Sequence, residues 1–481
     1  MTPSEYDPLL TEIADYVVDG PPPSPLAWET ARWDLADAIG CGLLALSHPA
    51  CVKLLGGIPR ERARTDGARV PGTSYRLDPV EAAFNLGTMI RWLDYNDTWL
   101  ALEWGHPSDN VAAILAVADW LMRRGQAAFT VKDVLRAMIR AHEIQGVLSL
   151  SQSLNRRGLD HVLWVKVAST AVVAHLLGGD REMVARALSQ AFVDLGSLRT
   201  YRHAPDTGSR KSWAAGDAAS RAVRLALITA RGEMGYPRAL SAPGWGFEAV
   251  VLGGEPLRLA APLGDQVMEN VLFKIAFPAE FHGQTAVEAA LRLHPRVLGR
   301  MSALSRIIVT TQESAMRIID KRGPLRNPAD RDHCLQYMVA VALLHGRLTD
   351  ASYSDETAAD PRIDALREKM VVVEEPRYSA DYLDPAKRSI ANAVTVEFSD
   401  GGPAETVEVE YPLGHRRRRE EAWPLLRAKF AANCLARLQS ARVDALLDLF
   451  GFGERLEALP VTALTDLLAE DAPLAGEGGE P

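Results

Sequence analysis

Ala393-Val-Thr-Val-Glu-Phe-Ser399 and Thr406-Val-Glu-Val-Glu-Tyr411 alternate apolar and polar residues on either side of Asp400-Gly-Gly-Pro403. A period of two marks a half-buried strand, and Gly-rich punctuation between two such runs predicts a hairpin. Ser305-Arg-Ile-Ile-Val-Thr-Thr-Gln312 and Lys369-Met-Val-Val-Val-Glu-Glu375 read as two further strands, because β-branched residues cluster there. Helical spacing is interleaved at 284–293, 332–344 and 361–368. Residues 272–415 are therefore expected to form a small α+β domain.

Outside this segment the pattern is helical. Apolar residues recur at helical spacing over 25–46, 80–102, 109–123, 131–150, 162–177, 189–198 and 214–231, and again over 423–438 and 441–449. Ser24 is placed to cap the first of these, with Pro25 at the position that tolerates proline. Residues 235–246 are turn-rich, and 471–481 read as a frayed tail. The expected architecture is mainly α with an α+β insert. A large all-helical domain at 1–271 and 416–481 is interrupted by the smaller domain at 272–415.

Composition narrows the function. The chain has 481 residues, 47% hydrophobic and 24% charged, which fits a globular protein. Lys and Arg total 53 against 62 Asp and Glu, a net charge of −9, so nucleic acid and anionic membrane are poor partners. No apolar run approaches the ~20 residues of a membrane span. The N-terminus carries no basic segment ahead of an apolar core, so no secretory signal is expected. The four cysteines, Cys41, Cys51, Cys334 and Cys434, form no Cys-x-x-Cys pair. A disulfide framework, a zinc site and an iron–sulfur cluster are not expected, and the cytoplasm is the natural compartment.

Four segments concentrate groups able to do chemistry. The first, Arg91 to Asn110, places Asp94 three residues before Asp97 and four before Thr98, on one face if the helix continues. His106 then lies just ahead of a helix start, where backbone N–H groups favour anions, and Ser108 or Asp109 is placed to cap the next helix. His161 holds a similar position before the next apolar helix. The third is cationic, with Arg199, Arg202, Arg210 and Lys211 before a helix. The fourth, Phe273 to His282, sets Lys274 among apolar residues. The plain alternatives are a solvated turn, a helix-start residue, a basic loop and a lysine whose ammonium reaches water. His142 and His175, inside helices, read as structural, and His48, His294 and His415 as loop residues. Asp-x-x-Asp also suggests a magnesium–diphosphate site, but Asp444 and Asp448, the nearest later pair, read as a solvated helix face. Gly244-Trp-Gly-Phe-Glu-Ala249 lacks the strand that a dinucleotide loop needs, and the basic run His415 to Arg419 is short and followed by acids.

Several long motifs resemble the MmgE/PrpD family. They are Gly87-Thr-Met-Ile-Arg-Trp-Leu-Asp-Tyr-Asn-Asp-Thr-Trp99, Glu103-Trp-Gly-His-Pro-Ser-Asp-Asn110, Lys211-Ser-Trp-Ala-Ala-Gly-Asp217, Phe273-Lys-Ile-Ala-Phe-Pro-Ala-Glu-Phe-His282 and Asn327-Pro-Ala-Asp-Arg-Asp-His-Cys-Leu-Gln-Tyr-Met-Val-Ala-Val341. The resemblance extends over nearly the whole chain. It implies a large helical domain with an α+β lid closing over a tricarboxylate, and a homodimer that needs no metal or cluster. It also implies the branch that dehydrates 2-methylcitrate in the methylcitrate cycle of propionate catabolism, with side hydration of cis-aconitate. The alternatives are another lyase acting on cis-aconitate and a tricarboxylate-binding relative without turnover.

By similarity to cis-aconitate decarboxylase, a relative, the candidate catalytic set is Asp94, His106, His161, Lys211 and Lys274, with Thr98 beside them. Arg91, Thr98, Arg202, Glu280, His282 and Tyr337 are candidates for holding substrate. The decarboxylase has a histidine where this chain has Glu280, with His282 two residues on, and that departure favours the dehydratase branch. The chemistry suits the set. Proton loss beside a carboxylate needs a base, cations to neutralise the developing charge, and an acid for the departing hydroxide.

Overall fold

The computed structural model describes residues 6–57, 65–203 and 205–474. It divides into two compact units. The first comprises Met1–Thr200, Ser212–Val271 and Leu426–Pro481, and the second Tyr201–Lys211 and Leu272–Leu425.

The first unit is built of helices, the main ones being Pro8–Asp19, Pro25–Ala45, Pro79–Arg91, Val111–Arg123, Val131–Ser151, Val162–Leu176 and Arg181–Val193. Ser24 caps the second of these through a 3.1 Å bond from the Ala27 N–H. Asp78 does the same for the third, accepting from Val80 N at 3.0 Å. One apolar core runs through all of them, with Trp164, Phe192 and Phe247 packed edge to face; the last two ring centroids are 5.2 Å apart. Ala and Gly at helix crossings let backbones approach. A Cβ on Gly87 would lie 2.7 Å from the Gly216 Cα, and one on Gly216 would lie 2.4 Å from the Phe84 carbonyl oxygen. The Pro79–Arg91 helix, which delivers Arg91, is seated by that contact.

The second unit holds a four-stranded sheet in the order Met370–Glu374, Leu304–Thr311, Asn392–Phe398, Glu405–Val409. The first pair is parallel, from Ile307 opposite Met370 to Thr311 opposite Glu374. The last pair is the expected hairpin, antiparallel from Asn392 opposite Val409 to Val396 opposite Glu405. The helices Gln284–Val297 and Leu335–His345 share one core with the inner strands, through Leu293, Leu335, Met338, Ile307, Val309 and Val394.

Four local readings differ. The helix expected to reach Leu102 stops at Arg91, and a two-residue ladder pairs Trp99–Leu100 with Trp104–Gly105. His294 lies within the Gln284–Val297 helix, its Nδ1 bonded to the Leu343 carbonyl at 2.7 Å, rather than in a loop. The pattern expected at 189–198 belongs to the helix Arg181–Val193. The helix expected from Asp332 begins at Leu335, because Asn327 caps a separate short turn, Pro328–Arg331. The part of the tail at 475–481 lies outside the described residues.

Gly216→Ala is expected to destabilise the protein by about 1–3 kcal/mol, since overpacking forces helices apart. A lowered urea midpoint with unchanged slope checks this; an unchanged midpoint would show that the helices separate freely.

Candidate active site

The chain leaves the Pro79–Arg91 helix through Asp94, whose φ of 51° is left-handed. Such a conformation in a non-glycine residue costs about 1–3 kcal/mol and clusters at functional sites. Asp94 is buried, and its Oδ1 is paired with Arg91 Nη1, three residues back. The same oxygen lies 3.5 Å from His106 Nε2. The other ring nitrogen, His106 Nδ1, is 2.6 Å from the Asp97 carbonyl oxygen and 3.3 Å from Thr98 Oγ1. A carbonyl only accepts, so Nδ1 carries a proton, and Nε2, facing Asp94, is the nitrogen placed to gain or lose one. The His161 ring centroid is 5.7 Å from that of His106, and His161 Nδ1 lies 3.2 Å from Asp160 Oδ1. Gly105 makes room for it: a Cβ there would sit 3.4 Å from His161 Cδ2 and 2.9 Å from Gln145 Nε2. Arg91, Asp94, Thr98, His106 and His161 are thus brought together in the first unit, all buried.

The helix face expected for Asp94 and Asp97 does not form, and the two do different work. Asp97 Oδ1 accepts from Ser108 Oγ at 2.6 Å, and both of its oxygens accept from Ser108 N at 3.1 Å. The N-cap position of the next helix, Val111–Arg123, is Asn110 rather than Ser108 or Asp109; Asn96 Nδ2 bonds to those two at 2.9 and 3.1 Å. Glu103 is fully buried, with Oε2 accepting from Asn155 N at 2.7 Å. Burial pushes its carboxyl up to about 7, against the lowering pull of Arg199. Asp34, Asp97 and His142 form the one group among the described residues whose donor atoms, all within 4.8 Å, could surround an ion. His142 Nδ1 is 2.8 Å from the Met138 carbonyl and Nε2 is 2.9 Å from Asp34 Oδ2 and 3.6 Å from Asp97 Oδ2. Those distances suit an imidazolium between two carboxylates. Burial alone would lower His142, and the bonds and charges of Asp34 and Asp97 outweigh it, raising it to about 9.

The second unit gathers the other candidates. Lys211 Nζ is 2.6 Å from Asp332 Oδ2 and 3.2 Å from His333 Nδ1, which itself lies 2.8 Å from Asp332 Oδ1. Glu280 Oε1 is 2.7 Å from His282 Nδ1, and His282 Nε2 is 3.1 Å from the Tyr382 hydroxyl. Lys274 is fully buried, and Arg202 is buried over the Tyr201 ring, 5.5 Å from its centroid. Tyr337 sits in the apolar core, donating to the Ser352 carbonyl at 2.7 Å and stacking on Tyr353. Burial pushes its hydroxyl up to about 12.

Sequence reasoning missed Asp332, His333 and Tyr382 as partners, and Asp34, Asp97 and His142 as a network. Asp332 and His333 stood inside a quoted motif, but nothing in their spacing pairs them with Lys211. The Asp34–His142 contact joins residues 108 apart.

Residues 11–260 match the MmgE/PrpD N-terminal domain and residues 277–450 the MmgE/PrpD C-terminal domain. The chain belongs to the MmgE/PrpD family. It is 57% identical over 470 residues, 96% of this chain and 97% of the relative, to a protein of Escherichia coli (strain K12) named 2-methylcitrate dehydratase. It is 58% identical over the same shares to the 2-methylcitrate dehydratase of Cupriavidus necator. It is 56% identical over 449 residues, 92% of this chain and 86% of the relative, to the mitochondrial 2-methylcitrate dehydratase of Yarrowia lipolytica. Among the described residues no helix is long and apolar enough to cross a membrane.

Glu103 carries a testable pH dependence. Its raised pKa means that, between pH 4.5 and about 7, the folded state holds a proton that the unfolded state has lost. Stability therefore falls as pH rises through that window, by about 3 kcal/mol at most. Glu103→Gln removes this slope. Urea unfolding at pH 4.5 and 8 should show the variant gaining on the wild type by up to that amount; a pH-independent difference would refute it.

Proposed function

We propose that this chain eliminates water from 2-methylcitrate to give 2-methyl-cis-aconitate, as its relatives' names describe. The near full-length likeness to those proteins carries the reading. The local geometry supplies the chemistry. A C–H bond beside a carboxylate breaks, its electrons form the C=C bond, and the C–O bond releases hydroxide, which leaves as water after gaining a proton.

His106 is assigned as the base. With Nδ1 committed to the Asp97 carbonyl, Nε2 is the nitrogen that takes the proton, and Asp94 at 3.5 Å stabilises the imidazolium that forms. His161, with its ring 5.7 Å away, is assigned as the acid. Lys211, Lys274, Arg91 and Arg202 are assigned to the substrate's carboxylates, where fixed cations lower the cost of the developing charge. Thr98, Glu280 and His282 are assigned to hydroxyl and carboxylate contacts. Tyr337 joins the pocket in this proposal only through its ring, since its hydroxyl is committed to Ser352. The work is placed on side chains, so turnover is expected without metal. The pathway is the methylcitrate cycle, with cis-aconitate hydration as a side reaction, in the cytoplasm. A homodimer is supported by exposed apolar residues on the first unit, Trp245 (89% exposed), Val250 and Met234; light scattering should give twice the chain mass.

The deciding experiment follows alkene absorbance as purified, chelator-treated protein meets 2-methylcitrate. Absorbance should rise without release of carbon dioxide. His106→Ala should lower kcat by about 10²–10⁴-fold, and Lys211→Ala should raise KM by about tenfold or more, the scale of a lost charged hydrogen bond. Turnover restored only by added iron, or carbon dioxide as product, would overturn the reading; full activity in His106→Ala would overturn the base assignment.

A further inference from the structure

The helix Pro25–Ala45 carries two fully buried carboxylates three residues apart, Asp34 and Asp37, which neighbour each other on one helix face. Each is paired with a buried cation, and each cation also grips the Asp94-bearing loop. His142 lies between Asp34 and Asp97, at 2.9 and 3.6 Å. Lys429 Nζ lies 2.7 Å from Asp37 Oδ1 and 2.8 Å from the Tyr95 carbonyl, and 3.7 Å from the Tyr95 ring centroid. Tyr95 and Asp97 flank Asn96, so the two cations hold the loop at alternate residues directly after Asp94.

We propose that Asp34 and His142, supported by Asp37 and Lys429, are positioning residues for His106: they fix the Asp97 peptide whose carbonyl sets the proton on His106 Nδ1 and directs Nε2 toward Asp94. The inference deepens the proposed dehydration and rests on that reading for its kinetic part. The chain of contacts is continuous. His142 Nδ1 faces a carbonyl and Nε2 faces two carboxylates, whose bonds and charges hold the ring protonated even though burial raises Asp34 itself to about 7. That cation holds the Asp97 side chain, whose oxygens clamp Ser108, two residues beyond His106. The Asp97 carbonyl, on the same residue, is 2.6 Å from His106 Nδ1. Without Asp34, His142 Nε2 keeps only its 3.6 Å contact to Asp97 and loses the carboxylate that orients it, so the Asp97 peptide is held less firmly. His106 would then populate the other tautomer, which presents a proton where a base needs a lone pair.

The test uses the full chain, labelled with 15N at histidine ring nitrogens and without substrate, with His106→Gln and His142→Gln assigning the signals. In the wild type, His106 should show a protonated Nδ1 and a bare Nε2, and His142 two protonated nitrogens. In Asp34→Asn the His106 signals should move toward a tautomer mixture. Its kcat for 2-methylcitrate should fall roughly tenfold or more, with KM within about twofold, as expected when a reacting group is misplaced. Asp34→Glu should recover part of kcat. A merely structural role would lower the melting temperature and leave the tautomer and kcat per folded molecule unchanged, which would overturn the proposal. A wild-type His106 protonated on Nε2 would overturn it too, as would a stoichiometric metal ion lost in Asp34→Asn. If Asp34→Asn does not fold, Asp34→Glu and the wild-type spectrum decide. Absence of wild-type turnover would overturn the substrate reading, and the ring spectrum would still test this one.

Discussion

The first unit buries charge that no water reaches, and its polar interior follows from that constraint. An isolated buried carboxylate is untenable, and removing one partner of a buried ion pair typically costs 3–5 kcal/mol. Asp34, Asp37, Asp94 and Asp97 are all 2% exposed or less. Each is matched by a cation, respectively His142, Lys429, Arg91 and again His142. Burial favours a neutral Lys429, yet the charge of Asp37 holds it protonated well above the ordinary lysine range. The same logic acts in reverse on Glu103. Burial outweighs Arg199, and the carboxyl is held in the neutral range.

This arrangement explains why a segment with helical spacing is not helical. From Val80 the apolar period runs past Arg91 without a proline, so sequence alone extends the helix to Leu102. The helix ends because the next turn has better partners outside it. Asp94 adopts a left-handed conformation that points its carboxylate at both Arg91 and His106. The Asp97 carbonyl accepts from His106 rather than from a following helical N–H. Tertiary hydrogen bonds to charged groups, each worth about 1.5–3 kcal/mol, exceed propensity differences of a few tenths per residue.

Legibility divides along the same line. The hairpin from Asn392 to Val409 and the helices starting at Pro25, Val131 and Val162 were readable, because their signals are local: alternation, caps and period. The long motifs carrying Asp94, His106, Lys211 and His282 were readable as candidates, and of these Asp94 and His106 lie within 3.5 Å of each other. What could not be read was partnership. Lys211 meets Asp332 across 121 positions, and His142 meets Asp34 across 108. His142 did read as a satisfied structural histidine; it is fully buried, with both ring nitrogens bonded. Its charge followed only from seeing a carbonyl at one nitrogen and carboxylates at the other.

A rigid, pre-charged interior has a consequence for catalysis. A base works best when its lone pair is already placed and its conjugate acid already has a counter-charge, because no dipoles then reorganise as the proton moves. In the role proposed for it, His106 has both a fixed Nδ1 and a counter-charge at hand: the Asp97 carbonyl occupies Nδ1, and Asp94 lies 3.5 Å from Nε2. Asp94 in turn cannot swing toward solvent, since Arg91 holds the same oxygen and the backbone is set by the Asp97 and Tyr95 contacts further along the loop. The left-handed strain at Asp94, about 1–3 kcal/mol, is smaller than the ion-pair energy that would be lost on relaxing it. The strained geometry is therefore the stable one, and the loop holds Asp94 against both Arg91 and His106.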